Sequence, residues 1–389
     1  MSGTRVLVVG ASIAGPAVAH WLRRWGAAVT VVERAPGLRP GGQAVDARGM
    51  TKEVIRRMGL DAAVRAERTE TAGAYTVDSE GKVLETFSVE DDGGDGYIAD
   101  IEILRGDLSR VLYEDTREEV EYLFGDRIAE LSQDADGVDV VFESGGRRRF
   151  ELVIGADGLH SSLREMVFGP REKFIRHLGL VLAFYTVPNE FGLERWLIDF
   201  QESGRSAGLR PLRDATKAMA MFSFASPDVD IDYRDIEGQK RLLREQMAGM
   251  GWQAPAILAH LDDTPDFYLD QVAQVVMDRW SSGRVALLGD AAFSSSPMSG
   301  QGTGLALVGA YLLAGELAAA GWDPEAGFAA YEAKMRSFVE ANQEIGRLHA
   351  LSKEVPAPDA EPAAEPEWDM DLIDRALNGI ELPDYADLD

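Results

Sequence analysis

Residues 5–15 read RVLVVGASIAG, and this stretch decides the fold. Arg5 to Val9 is a short apolar run with the character of a buried parallel strand. Gly10 permits a tight turn, and Ala14 to Trp25 continues with helical composition. Pro16 falls in the first helical turn, where a missing N–H has no partner to lose. A second strand, Ala28 to Val32, ends at Glu33, 18 residues beyond Gly15. Strand, glycine turn, helix, strand and acid at this spacing fit a dinucleotide. Its pyrophosphate would rest on the helix N-terminus and its ribose on the carboxylate. Ser12 stands where the pattern has its middle glycine, and its small hydroxyl can itself donate to a phosphate oxygen. On this motif alone, a strand-turn-helix without a ligand stays open.

Two later stretches narrow the choice. Asp136 to Glu143 and Arg148 to Ile154 read as strands joined by the turn Ser144-Gly145-Gly146. The second runs into GADGLHSSLR, Gly155 to Arg164, which by itself is also readable as an ordinary strand-to-turn corner. Arg284 to Leu288 is a further strand, opening GDAAFSSSPMSGQG over Gly289 to Gly302. Gly300-Gln301-Gly302-Thr303-Gly304 then feeds a long apolar helix, Leu305 to Ala320. Such a loop offers free N–H groups and a positive dipole end, suited to a group that becomes anionic. Asp290 is placed to accept from a hydroxyl.

Together the three motifs resemble those of the single-component flavoprotein hydroxylases of the para-hydroxybenzoate hydroxylase fold, over roughly residues 1–350. Within that family the chain looks most like the short members acting on polycyclic compounds, the polyketide hydroxylases and tetracycline-inactivating monooxygenases. The resemblance implies FAD as cofactor, held by Gly10, Ser12, Ile13, Ala14, Gly15, Glu33 and Arg34 at its ADP end. Asp157 would serve FAD and a passing nicotinamide; Asp290, Pro297, Gly300, Gly302 and Thr303 would hold the ribityl chain and flavin. Gly41 to Asp46 matches a loop beside the flavin, bringing in Gln43 and Ala44, and Arg105-Gly106-Asp107-Leu108 matches an element whose arginine contacts the cofactor. Three positions depart from the pattern: Phe293 where His is frequent, Gly304 where Asn is, and Gly309 where Asp is. Phe293 is the candidate substrate contact on the flavin loop.

Composition excludes several other classes. Lys plus Arg number 39 against 66 Asp plus Glu, a net charge of −27, which argues against nucleic acid as a partner. With no cysteine there is no disulfide, thiolate metal site or dithiol. The five histidines, His20, His160, His177, His260 and His349, show no metal-ligand spacing. No charge-free apolar span of about 20 residues suggests a membrane helix, and the first strand leaves no room for a signal peptide. A cytoplasmic monomer or homodimer is the expectation.

The fold expected is α/β: a discontinuous Rossmann-like FAD-binding domain with a sheet-based substrate domain and a C-terminal bridging helix. The boundaries are 1–72, 98–170 and 280–325 for the first, and 73–97 and 171–279 for the second. The helix occupies 326–352, and 353–389 is an acidic tail. Gly179 to Val187, Lys217 to Ala225 and Gln271 to Met277 read as strands of the substrate sheet, and Arg234 to Met250 as an amphipathic helix. Glu332 to Leu351 carries Met335, Phe338, Val339, Ile345 and Leu348 on or near one stripe. From Glu354 onward there are 12 acidic residues and one basic, Arg375. Pro356 to Glu367 reads as an extended linker, and Trp368 to Leu377 as either a short docking helix or, the preferred reading, part of a solvated tail.

The resemblance implies that NADPH or NADH, visiting transiently, reduces FAD, which captures dioxygen. The resulting flavin C4a-hydroperoxide then hydroxylates an aromatic or polycyclic small molecule, as in antibiotic or polyketide modification. No catalytic side chain is expected, because the flavin carries the chemistry and the protein positions the substrate and excludes water. Phe184, Met219, Met221, Phe222 and Phe224 suit a pocket wall, and suit a structural core equally well. Two competitors stand beside this reading: an FAD-dependent reductase, and a non-catalytic flavin or small-molecule binding protein.

Overall fold

The computed structural model describes residues 3–96, 98–226, 231–264, 266–352, 369–385 and 388. Its first sheet has six strands in the order Ser281–Ser282, Val285–Leu287, Leu152–Gly155, Arg5–Val9, Ala28–Glu33 and Glu121–Phe124. All neighbours are parallel except the first pair. Val9 lies beside Gly155 and Val32, and Gly155 beside Leu287. Three strands far apart in sequence therefore end on one line, and each runs straight into one of the glycine motifs. Their side chains are apolar on both faces because both faces are covered.

Helix Ala14–Arg24 packs against helix Gly302–Ala319 beside this sheet. Gly15 makes the first helix possible: a Cβ there would lie 1.8 Å from the Gly10 carbonyl oxygen. Helix Gly302–Ala319 is long and apolar enough by composition to cross a membrane, with a mean hydropathy of 1.4 over 18 residues. Here it is a core helix, and most of its side chains are buried, as expected of a helix apolar on every face.

The run Arg148 to Ile154 divides between two sheets. Arg147–Phe150 pairs antiparallel with Val138–Phe142 in a three-stranded sheet, while Leu152–Gly155 joins the parallel one. The second large sheet has seven strands, ordered Tyr268–Val275, Ile175–Pro188, Lys217–Ala225, Arg205–Pro211, Trp196–Glu202, Gly73–Val77 and Val83–Ser88. One face, carrying Ala183, Tyr185, Ala207, Leu209, Ala220, Phe222 and Phe224, packs with Leu243 of helix Ile236–Gln246 and Ile257 of helix Ala254–Ala259. Phe184, Met219 and Met221 alternate with those residues and so point to the opposite face. The five wall candidates thus divide, with Phe222 and Phe224 belonging to the helix-side core.

Helix Pro324–Leu351 bridges the two sheets. Asp323 caps it by accepting from the Ala326 amide at 2.8 Å. The Gln343 side chain donates to the Val275 carbonyl, and Gln274 donates back to the Gln343 carbonyl at 2.6 Å. Residues 356–367 lie outside the described residues. Beyond them, the expected solvated tail gives way to a docked segment. Helix Met370–Asn378 places Leu372 and Ala376 against Ala341 and Ile345, and the fully buried Asn342 donates to the carbonyls of Phe338 and Ala376. Further on, Tyr385 lies so close to Gly315 that a Cβ there would be 2.1 Å from the ring. The acidic count concealed four apolar residues, Leu372, Ala376, Ile380 and Leu382, that are buried against the body.

Candidate cofactor and substrate site

The groove begins at Gly10. Its φ of +107° is glycine territory, and a Cβ would lie 2.5 Å from the Ala156 carbonyl oxygen. That contact brings the first motif against the second. Helix Ala14–Arg24 starts from Ile13 with no side-chain cap and no acid in its first turn. Glu33 closes the same end of the sheet: its carboxylate accepts from the Ala11 amide and the Ala35 amide, both at 2.9 Å. An acid held by backbone at the end of the second strand and an uncapped helix start form a cradle for a nucleotide.

Arg105 reaches this cradle from helix Arg105–Thr116. Its Nη1 donates to Ser12 Oγ at 2.9 Å, and its backbone amide donates to the Gln43 carbonyl at 3.0 Å. Glu33 and Asp290 both send negative charge toward the guanidinium. Burial is the larger influence and, with Arg39 nearby, lowers its pKa from the usual arginine value. Gly106 must be glycine, since a Cβ would meet the Gly41 amide nitrogen at 2.6 Å. Gln43 and Ala44 flank this contact, Ala44 pairing with Leu104 in a two-stranded ribbon.

The third motif closes the groove. Gly289, at φ +62°, lets the strand end approach Ala14, whose Cβ would be 3.2 Å from an added one. Asp290 follows, exposed to the groove yet surrounded by protein. That crowding raises its carboxyl pKa, against the opposing pull of Ser294 and Arg105. Helix Gly302–Ala319 then starts from Gln301 with no side-chain cap and no acid in its first turn. The Gly302 Cα and Asp290 share this spot, an added Cβ lying 3.9 Å from Asp290 Oδ1. Gly300 adopts the left-handed conformation with Arg48 directly above it. The C-terminal helix supports the loop from behind, His349 Nδ1 sitting 2.7 Å from the Met298 carbonyl.

Gly10, Ser12, Ala14, Gly15, Glu33, Gln43, Arg105, Asp290 and Gly302 therefore come together, although they span almost 300 residues. Ile13 and Thr303 are buried side chains at helix starts, and Ile13 can offer only backbone. Arg34 and Pro297 are exposed. The Asp157 carboxylate accepts from the Ser161 and Ser162 hydroxyls and the Ser162 and Leu163 amides, so it closes its own turn.

Phe293 corrects the substrate assignment. It is 1 % exposed and packs on Trp280 with ring centroids 4.7 Å apart, beneath the loop instead of in the groove. An added Cβ on Gly309 would lie 3.3 Å from Phe293 Cζ. The bulky residue at 293 and the missing side chain at 309 are thus one packing solution, which accounts for two of the three departures from the family pattern.

Sequence reasoning missed Ser109, whose hydroxyl donates to the Ser12 carbonyl at 3.0 Å and fixes the first glycine turn. Its signal was its place one helical turn after Arg105. It also gave no role to Arg164, wholly buried, which ties the second motif to the third by donating to the carbonyls of Leu159 and Ala291. Tyr268 and Asp270 of the second sheet were missed entirely.

A family model described as an FAD binding domain matches residues 3–345. The chain is 38 % identical over 388 residues to a flavin-dependent monooxygenase of Legionella longbeachae, with 98 % of each chain covered. It is 47 % identical to the uncharacterized protein Rv1260 of Mycobacterium tuberculosis, covering 98 % of this chain and 99 % of that one. Among solved structures, the tetracycline destructase Tet(55) superposes with a TM-score of 0.87 at 36 % identity, covering 99 % of both chains.

Proposed function

From the premise that this chain belongs to the FAD-binding-domain family and to its flavin-dependent monooxygenases, we propose that it hydroxylates an aromatic or polycyclic small molecule. NADPH or NADH is the proposed reductant, and a tetracycline-like fused-ring compound is the proposed substrate class. The observation that carries the reading is the convergence of the three motifs on one line of strand ends, Val9, Gly155 and Leu287. Bound FAD would supply the chemistry that passes electrons to dioxygen and one oxygen atom to the substrate.

The chain's own residues have four tasks in this reading. Glu33, with its carboxylate oriented by the Ala11 and Ala35 amides, holds the ribose. The uncapped start of helix Ala14–Arg24 and the Ser12 hydroxyl, fixed by Arg105, hold the pyrophosphate. Asp290 accepts from the ribityl chain, and the start of helix Gly302–Ala319 presents amides to the pyrimidine edge of the flavin. Phe184 and Met221, half-buried on the sheet face away from the helix-side core, offer an apolar surface for a fused ring, with Met219 buried behind them. Relative to a small carboxylate, such a wall favours a flat, weakly charged ligand. A pyridine-nucleotide reductant and a cysteine-free chain would fit a cytoplasmic setting.

The test is made on purified, flavin-loaded protein. NADPH oxidation and oxygen uptake are followed together with tetracyclines and a panel of polycyclic phenols. Consumption of both that rises with one compound, with a product 16 mass units heavier (about one oxygen atom by the monooxygenation chemistry above), supports the reading. NADPH oxidation without oxygen uptake would indicate a reductase, and bound flavin with no stimulation a binding protein.

A further inference from the structure

The strand Tyr268–Val275 edges the seven-stranded sheet. Leu269 enters the helix-side core, so Tyr268 and Asp270 point to the opposite face, the one carrying Phe184. Tyr268 stacks on Phe184 with centroids 6.4 Å apart and is 48 % exposed. Its neighbour Asp270 meets His160 of the second glycine motif at 3.2 Å, which sets this exposed end of the strand beside the flavin groove and outside the core.

Asp270 is the hub behind it. This carboxylate is 7 % exposed and gathers three donors: the Tyr268 hydroxyl at 2.9 Å, His160 Nε2 at 3.2 Å and the Gln271 amide at 2.8 Å, while the Tyr233 ring packs on His160 with centroids 4.7 Å apart. His160 comes from the second motif, so the hub also joins the two large sheets. Its Nδ1 is buried with no partner within reach, which leaves Nε2 as the nitrogen that donates. Burial alone would raise the Asp270 pKa, but the hydrogen bonds and charge of His160, with the two tyrosines, bring it below the usual aspartate value.

An ionised carboxylate only accepts hydrogen bonds. Each partner must therefore donate, and a tyrosine has one proton to give. With that proton committed to Asp270, the Tyr268 oxygen turns lone pairs, and no hydrogen, toward the groove.

We propose that Tyr268 is a specificity-determining residue, a hydrogen-bond acceptor that selects ligands carrying an O–H or N–H at this point. It favours a phenol or enol over its alkyl ether. Asp270, His160 and Tyr233 are positioning residues that act through it. This rests on the reading above that an aromatic substrate lies over the flavin in this groove.

The test uses flavin-loaded protein and two probes, 9-phenanthrol and 9-methoxyphenanthrene, each titrated while the visible spectrum of the bound flavin is followed. The native protein is expected to bind the phenol about fivefold more tightly, as one neutral hydrogen bond allows. Tyr268→Phe keeps the ring and the stack on Phe184. It should lower affinity for the phenol to that for the ether and leave the ether unchanged. Asp270→Asn, which frees the tyrosine proton to turn toward the groove, should shrink or invert the preference. A merely structural role for Tyr268 would weaken both probes alike. Equal binding of the two probes by native protein, or a preference that survives Tyr268→Phe, overturns the proposal and leaves the monooxygenase reading intact. If no aromatic compound perturbs the flavin or stimulates NADPH oxidation, the aromatic-substrate reading falls, and this proposal with it.

Discussion

At the scale of single residues, Gly309 and Phe293 show how a substitution is absorbed by its neighbour. Gly309→Asp would set a Cβ 2.9 Å from Leu288 Cδ1 and 3.3 Å from the Phe293 ring, and would bury a carboxylate there. Overpacking and an unpaired buried acid together should cost about 3 kcal/mol. The variant is expected to melt several degrees lower in a thermal scan, and Phe293→His in the same chain should restore part of the loss. A Gly309→Asp protein melting like the parent would show that the two positions are not coupled. The convergence of Gly10, Gly15 and Glu33 was legible at this scale, because two turn glycines and an acid at a fixed spacing carry it. Phe293 was misread for a related reason. Sequence places a residue on a loop but does not say which side of the loop its ring faces, and the neighbouring Trp280 and Gly309 decided that. Asp270 was invisible because its partner His160 lies 110 positions away.

At the scale of elements, the long periodic segments were readable and the docked terminus was not. Helices around Ala14, Leu305 and Glu332, and the strands around Val181 and Ala220, announce themselves through apolar spacing. Strands Trp196–Glu202 and Arg205–Pro211 escaped, being interrupted by polar and glycine residues that face the groove side of the sheet. The terminal helix Met370–Asn378 was outweighed by the charge around it, yet Leu372 and Ala376 form a small core with Ala341 and Ile345. Leu372→Ala should therefore cost about 2–3 kcal/mol, the usual toll of emptying a buried leucine site. Thermal unfolding of the flavin-loaded protein checks it. A change below about 0.5 kcal/mol, typical of a surface substitution, would mean that the segment contributes nothing to stability.

At the scale of the whole molecule, a net charge of −27 bears on how any anionic reductant arrives. Phosphate-bearing NADPH, the proposed reductant, would be repelled on approach, and salt would shorten the reach of that repulsion from about 30 Å at 0.01 M to about 8 Å at 0.15 M. The value of kcat/KM for NADPH should consequently rise between those ionic strengths in steady-state assays, whereas a fall would reveal a local basic path that overrides the global charge. The two-sheet plan was legible as a whole because its motifs come in a fixed order, while the mutual facing of the sheets depends on side-chain contacts such as those of Gln274 with Gln343. The interleaving of distant strands also fixes an order of events during synthesis. The strand Val285–Leu287 and the loop after it are the last pieces of the cradle to leave the ribosome. At roughly 10 residues per second, about half a minute passes between the emergence of Glu33 and that of Gly302. Throughout that interval the nascent chain has half a nucleotide site and no means of retaining a flavin, so the cell must keep a large, incompletely closed parallel sheet from aggregating before any cofactor can help.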